Sequence, residues 1–178
     1  LYPQALRVLD GHLDYLNEHM LIEDMPYWVL IDWADTERRG VCSAYNGILY
    51  GVLEALRELA EYRGDTYTVG LVNTIRQGMK ASFHDTLFDD ARGCYADANI
   101  DGELSPKISE HGNLTPVWAG LCTEDLAKQV IHRVFEDDSL RFTEAQPFYM
   151  AVVLRALDQA GRADLALDLI RQRWGRRM

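Results

Sequence analysis

SAYNGILYGVLEALRELAEYRGD, residues 43–65, carries the strongest helical signal in the chain. Its apolar side chains recur every three or four residues, which places them on one face of an amphipathic helix: Tyr45, Ile48, Leu49, Val52, Leu53, Leu56, Leu59 and Ala60. Ser43 could cap the start of this helix, and the turn Arg63-Gly64-Asp65 would end it, because glycine accepts the left-handed conformation common at helix ends. The segment therefore predicts a long helix over residues 43–62.

The same spacing of apolar residues continues on both sides of this helix. It predicts six more helices, at residues 4–19, 66–84, 112–121, 124–136, 144–160 and 163–174. In the helix over 144–160, Phe148 is among the side chains expected to point inward. Short connections favour antiparallel neighbours. The predicted fold class is therefore all-α, built from antiparallel helical hairpins.

Residues 87–110 interrupt the helical pattern. LFDDARGCYAD, residues 87–97, predicts two short strands around a turn, which form one small β-hairpin. Residues 98–110 are polar and contain Gly102 and Pro106, so we expect a long loop there, and long loops in compact domains are commonly functional. No Gly/Ser-rich linker divides the chain, so residues 1–178 are predicted to form one domain.

Charge limits the possible partners. The chain has 18 lysine and arginine residues against 28 aspartate and glutamate residues, a formal charge of −10. Such a chain repels phosphate backbones, so we expect no nucleic-acid partner. No apolar run approaches the roughly 20 residues that a membrane-spanning helix needs, so no membrane partner is expected either. The arginines near the C-terminus are predicted to be solvated charges at a helix end: Arg171, Arg173, Arg176 and Arg177.

The three cysteines, Cys42, Cys94 and Cys122, form no CxxC pair. Their spacing predicts small buried residues or free thiols rather than a disulfide scaffold or a cysteine zinc site. No basic stretch followed by an apolar one opens the chain, so we expect no uncleaved signal peptide, and the compartment stays unassigned.

PYWVLIDW, residues 26–33, is an aromatic-rich connection that ends in Asp32-Trp33. This combination suits sugar binding, because an indole face packs against the C–H face of a pyranose while a carboxylate accepts hydrogen bonds from hydroxyl groups. The alternative is that the aromatic residues belong to the core and that Asp32 caps a turn.

Two polar motifs lie further along the chain. DANIDG, residues 97–102, matches the opening of a calcium loop, but Ile108 stands where the bidentate glutamate would be, so a solvated turn is the preferred interpretation and no metal is predicted. SEHGN, residues 109–113, precedes an apolar helix, where free backbone N–H groups could bind a polar ligand or could simply be capped.

Four stretches, taken in order, resemble the catalytic domain of bacterial α-L-rhamnosidases, glycoside hydrolase family 78. The first is YWVLIDW at 27–33, and the second is the helix that carries Tyr45-Asn46 and ends near residues 63–65. The third is GCYAD at 93–97 followed by SEHGN at 109–113, and the fourth runs from QPF at 146–148 through AGR at 160–162 to Trp174-Gly175. Together they cover nearly the whole chain.

The resemblance implies a six-hairpin α/α barrel, of which this chain would be the later half, an incomplete toroid. The parent protein would be an inverting glycosidase with two catalytic carboxylates. The family's general acid lies upstream of the aromatic-Asp-Trp stretch and its general base follows the final Trp-Gly, so no catalytic residue is matched and this piece should be inactive alone. The implied substrate-binding residues are Asp32 and Trp33, with Glu110, His111 and Glu144 as further residues on the same face. No cofactor is implied.

The expected partner is a carbohydrate or glycoside substrate. Two other functions stay open: a non-catalytic helical carbohydrate-binding or interaction module, and another six-hairpin glycosidase, for example a glucoamylase-like enzyme or a glucuronyl hydrolase. Half of a closed barrel would also leave apolar helix faces without neighbours, which predicts a possible homo-oligomer.

Overall fold

The computed structural model describes residues 1–27 and 29–175. Trp28 and the predicted cations Arg176 and Arg177 lie outside the described residues. Within the described part the chain forms seven α-helices, as the periodicity predicts, followed by a π-helical turn at Arg171–Gly175: α1 (Tyr2–Leu13), α2 (Ser43–Arg63), α3 (Thr66–Leu87), α4 (Glu110–Ala119), α5 (Glu124–Phe135), α6 (Met150–Gln159) and α7 (Ala163–Ile170).

Helices α2 and α3 form a hairpin over a two-residue connection. Gly64 ends α2 in the left-handed conformation, with φ of 70°, and its N–H bonds the last turn of the helix. Asp65 then caps α3, because its carboxylate accepts a hydrogen bond from the Thr68 amide at 3.0 Å. Two adjacent residues therefore end α2 and begin α3. For this reason the sequence predicts the end of α2 and the start of α3 closely.

Helix α4 lies at the centre of the helical layers. It packs against α2, α5 and α6, while α2 also packs against α3, and α6 against α7. Its residues 110–117 are all buried, polar ones included. The approach of α2 to α4 depends on Gly47, because a Cβ atom there would lie 2.7 Å from Cγ2 of Thr115.

We expect Gly47→Ala to lower the free energy of unfolding by about 1–3 kcal/mol, because the added methyl group overpacks this contact. Gly70→Ala is the matched control: Gly70 lies within α3 and has nothing within 4 Å of an added Cβ, so alanine there should raise the free energy of unfolding by about 0.5–1 kcal/mol. Chemical denaturation of both variants measures the difference. Equal effects at the two sites would contradict the close approach of α2 to α4.

Five short strands form two antiparallel sheets in the described residues: β1 (Val41–Cys42), β2 (Phe88–Asp89), β3 (Cys94–Tyr95), β4 (Ala98–Ile100) and β5 (Glu103–Leu104). The pair β2–β3 is the predicted hairpin. The predicted long loop after residue 97 is partly wrong, since β4 and β5 form a second hairpin there, and β1 pairs with β4. Asp101 and Gly102, with φ of 53° and 85°, supply the two positive φ values that a tight two-residue turn needs.

Helix α6 begins at Met150, six residues after its predicted start at residue 144. Pro147 explains part of the delay, because the residue before a proline is disfavoured in the helical conformation. The chain just before this segment is extended beside the entry to α4, where the Thr143 amide donates to the Ile108 carbonyl at 3.0 Å. The prediction that Phe148 points inward is wrong, since this residue is 62% exposed.

The three cysteines are free; Cys42 and Cys94 are buried and Cys122 is partly buried. Burial raises the pKa of the Cys42 thiol to about 12 and that of Cys94 and Cys122 to about 11. They therefore occur as packed, protonated side chains at neutral pH, as the sequence predicts.

None of the helices in residues 1–27 and 29–175 combines the length and apolar content needed to span a bilayer.

Candidate functional site

Three connections meet at the start of α4. They are the segment 29–38, the entry to α4 at Ser109 and the segment 143–149 that leads into α6. Ser109 caps α4, because its hydroxyl accepts a hydrogen bond from the Gly112 amide at 3.1 Å. All five predicted site residues lie on these three connections or in the first turn of α4.

Asp32 joins the three connections through one carboxylate. Its Oδ1 accepts from the amide of Trp33 at 2.8 Å. Its Oδ2 accepts from Nε2 of His111 at 2.8 Å and from the amide of Gln146 at 2.7 Å. The residue is 1% exposed, so both oxygens are sealed from solvent and engaged within the chain.

His111 is fully buried in the first turn of α4. Its ring lies 4.6 Å from that of Tyr149, centroid to centroid, and the two planes are inclined by 51°. Because the partner of Nε2 is a carboxylate, we assign the hydrogen to Nε2. The other ring nitrogen, Nδ1, is buried without a hydrogen-bond partner among the described residues. A lone pair left unsatisfied in this way costs about 1–3 kcal/mol.

Glu110 forms a buried ion pair with Arg173, which lies in the π-helical turn at the end of the chain. Arg173 Nη1 donates to Glu110 Oε2 at 2.9 Å, and Nη2 donates to Oε1. Oε2 also accepts from the Ala145 amide at 2.9 Å. Burial, the strongest influence, lowers the pKa of Arg173, but the bonds to Glu110 outweigh it and the net shift is upward.

The prediction of a solvated arginine cluster is therefore wrong for Arg173, whose side chain is only 12% exposed. Arg171 does fit the prediction, because its side chain is 72% exposed and pairs with Asp168 at 2.9 Å. The spacing of the arginines within the last turn cannot distinguish these two environments, since the partner of Arg173 lies 63 residues away.

The preferred interpretation of the motif at 97–102 as a solvated turn holds for Asp101-Gly102, which are exposed, but is wrong for Asp97, which is buried. Its Oδ1 accepts from the Ser109 hydroxyl at 2.6 Å and its Oδ2 from the Glu37 amide at 3.2 Å. Burial raises the pKa of the Asp97 carboxyl, although both hydrogen bonds act in the opposite direction. Within the part of the chain that the structure describes, no group of three acidic, histidine or cysteine residues is arranged to hold a metal ion.

Two motif asparagines have structural roles. Asn46 in α2 bonds both backbone groups of Ile22: its Oδ1 accepts from the amide at 2.8 Å and its Nδ2 donates to the carbonyl at 3.0 Å. Asn113 in α4 does the same for Tyr95, at 2.9 Å and 3.0 Å. Each side-chain amide thus pairs with a backbone segment as a neighbouring strand would.

Trp33 and Phe148 lie on the surface above this buried network. Trp33 is 71% exposed and Phe148 is 62% exposed. Their ring centroids are 5.7 Å apart and their planes meet at 84°. Because the rings touch at nearly a right angle, the edge of one ring packs against the other in an edge-to-face contact on the surface.

The structure thus brings the predicted residues into two layers. Asp32, His111 and Glu110 form the buried layer, and Trp33 and Glu144 are exposed. Phe148 and Arg173 also belong to this region, although the sequence does not predict them there. Pro147 could have indicated that Phe148 precedes the helix, but no local signal marks the pairing of Arg173.

Solved structures with the same fold are known. The GH78 family rhamnosidase of Bacillus sp. GL1 matches with a TM-score of 0.85 and 24% identity, covering 98% of this chain and 19% of its own. The rhamnosidase from Klebsiella oxytoca, solved with rhamnose bound, matches with a TM-score of 0.83 and 23% identity, covering 98% of this chain and 33% of its own. This chain has the fold of part of a rhamnosidase.

The resemblance seen in the sequence motifs is therefore confirmed at the level of the fold. The rhamnosidase-like region includes almost the whole chain, yet the chain spans only about a fifth and a third of the lengths of these two enzymes. No family model matches the sequence, and no curated protein sequence matches it.

Proposed function

We propose that this chain is part of a glycoside hydrolase that resembles inverting α-L-rhamnosidases, and that it contributes residues that bind the sugar. The observation that carries the proposal is the exposed indole of Trp33, whose backbone is bonded to the buried Asp32 carboxylate. The rhamnosidase-like fold supports the same function. In this proposal residues 1–178 form one domain, an incomplete six-hairpin α/α toroid.

The five predicted residues have different roles in this proposal. Trp33 stacks on the C–H face of the sugar, and the exposed carboxylate of Glu144 accepts hydrogen bonds from its hydroxyl groups. Asp32 and His111 are positioning residues, because their bond to each other lies beneath the surface and both Asp32 oxygens already have partners. Glu110 positions the Ala145 backbone on the same segment as Glu144.

Hydrolysis with inversion requires a general acid and a general base on opposite sides of the scissile bond. The buried carboxylates of this chain do not suit those roles. Asp32, Glu110 and Asp97 are each at most 3% exposed and are bonded to groups of the chain itself. We therefore place the two catalytic carboxylates in other parts of a longer parent protein, where binding by this chain would hold the sugar between them.

Trp33→Ala should lower the free energy of unfolding by about 1 kcal/mol or less, because the exposed ring loses mainly its edge contact with Phe148. A core tryptophan would cost about 3–5 kcal/mol instead. The same variant should weaken binding of methyl α-L-rhamnopyranoside at least about tenfold, since stacking supplies much of the contact. Urea denaturation and isothermal titration calorimetry of the 178-residue chain and its variant measure both quantities.

Tyr62→Ala provides the matched control, because Tyr62 is 88% exposed and lies in α2, outside the three connections at the start of α4. It should leave sugar binding unchanged. The proposal fails if the unaltered chain does not bind the rhamnoside, or if Trp33→Ala destabilises the fold strongly while the remaining folded protein binds as before.

A further inference from the structure

The segment that carries Glu144 is bonded to two buried carboxylates. Glu110 accepts from the Ala145 amide at 2.9 Å, and Asp32 accepts from the Gln146 amide at 2.7 Å. Glu144 itself is exposed, whereas Ala145 is buried. The backbone beside Glu144 is therefore fixed while its side chain reaches solvent.

Glu110 keeps its charge in this buried position because it is paired with Arg173. Both terminal nitrogens of the guanidinium donate to the carboxylate, Nη1 at 2.9 Å to Oε2 and Nη2 to Oε1. A buried carboxylate without a counter-ion shifts its pKa and becomes neutral instead. A hydrogen bond to an ionised group is roughly twice as strong as one between neutral groups. Arg173 therefore maintains the strong bond between Glu110 and the Ala145 amide.

The same guanidinium also acts on Glu144. Burial lowers the pKa of Arg173, whereas the bonds to Glu110 and the negative charges of Glu110 and Glu144 raise it. Glu144 thus lies within electrostatic range of Arg173, whose side chain is only 12% exposed, so salt screens their attraction less than it screens a pair on the open surface. Attraction to a cation that Glu110 holds in place restricts the orientations of the Glu144 carboxylate.

We propose that Arg173 is a positioning residue for the sugar site, which holds the backbone beside Glu144 through Glu110 and orients the Glu144 carboxylate by its charge. This inference rests on the proposed function, because it requires that Glu144 binds the sugar. It makes the affinity for the sugar depend on the packing of the π-helical turn Arg171–Gly175 against the start of α4.

A double variant without the buried charges tests this role. In Glu110→Gln with Arg173→Met, the new side-chain carbonyl can still accept from the Ala145 amide, and no buried ion is left unpaired. This variant should bind methyl α-L-rhamnopyranoside about three- to tenfold more weakly than the unaltered 178-residue chain, because Glu144 is no longer oriented. Isothermal titration calorimetry measures the dissociation constants. If this variant does not fold, Glu110→Leu with Arg173→Met provides the same comparison.

Two single variants give the matched controls. Arg171→Met removes a cation from the same π-helical turn, but the Arg171 side chain is 72% exposed and pairs with Asp168, so sugar binding should not change. Arg173→Lys keeps a cation near both carboxylates and should retain most of the affinity.

Glu144→Ala distinguishes positioning from a general effect on the structure. Alone, it should weaken binding, since it removes the carboxylate that accepts from the sugar hydroxyl groups. Adding the double variant to Glu144→Ala should cause little further loss, because Arg173 acts on the sugar only through Glu144. A general effect on the structure would instead weaken binding by the same factor whether Glu144 is present or not.

The outcomes are decisive for different statements. Equal losses with and without Glu144 would overturn the role of Arg173 and leave the proposed function standing. Rhamnoside binding that depends on Trp33 but is unaffected by the double variant would do the same. Absence of binding by the unaltered chain would overturn both. The melting temperature of each variant, followed by circular dichroism, shows that the affinities of folded proteins are compared.

Discussion

Replacing Glu110 with alanine should lower the free energy of unfolding by about 3–5 kcal/mol, because it leaves the Arg173 guanidinium buried without its counter-ion. The Ala145 amide would also lose its acceptor. This loss would be among the largest expected from a single substitution in a chain of this size. Denaturation in urea, followed by circular dichroism, gives the free energy directly.

Two further variants test whether the loss of stability comes from the buried ion pair. Glu144→Ala, at an exposed position next to Ala145, should change the stability by no more than about 0.5 kcal/mol. The double replacement Glu110→Leu with Arg173→Met should recover much of the loss, because removing both charges avoids an unpaired buried ion. If Glu110→Ala and Glu144→Ala prove equally mild, the buried ion pair does not exist in solution.

Asp32→Ala should also be severe, with an expected loss of about 3–5 kcal/mol, because three donors lose their acceptor at one buried site. Nε2 of His111 would then be left buried beside a cavity, and the amides of Trp33 and Gln146 would no longer be tied together. We therefore expect the Trp33 indole resonance to shift or broaden, since the segment that carries it is released. Denaturation and the nuclear magnetic resonance spectrum measure the two effects.

Asp35→Ala is the matched control for Asp32, since the Asp35 side chain is 85% exposed and lies three residues further along the same segment. It should change stability by about 0.5 kcal/mol or less. A small loss for Asp32→Ala, with an unchanged Trp33 resonance, would show that Asp32 does not position the exposed indole.

The helical framework could be predicted because its signals are local. The periodicity of residues 43–62 and the glycine and aspartate that follow them define α2 and its hairpin with α3 within one stretch of sequence. The second hairpin was missed although Asp101-Gly102 is a strong local turn signal; its strands are too short to show alternation. The late start of α6 depends on distant groups, since Glu110 and Asp32 hold the amides of residues 145 and 146.

The site could be predicted as a set of residues but not as an arrangement. Asp32 and Trp33 are adjacent in sequence, yet one is 1% exposed and the other 71%. The partner of the Asp32 carboxylate, His111, lies 79 residues away, and no periodicity reports such a pairing. The residue types indicated that the Asp32 carboxylate and the Trp33 indole belong to a binding site. Only the tertiary contacts show that the buried carboxylate holds the backbone that carries the exposed indole.

Asn46 and Asn113 pair with the backbone of non-helical segments. Hydrogen exchange in those segments should therefore depend on the unfolding of the helices that carry the two asparagines. The amide hydrogens of Ile22 and Tyr95 are buried, and each is bonded to a side chain carried by α2 or α4. Such a hydrogen exchanges with solvent only when its bond breaks, and the asparagine cannot move away while its helix is intact and packed. These two amides lie outside the helices that the structure describes, yet we expect their exchange to follow the opening of the helical layers and not the local mobility of a loop.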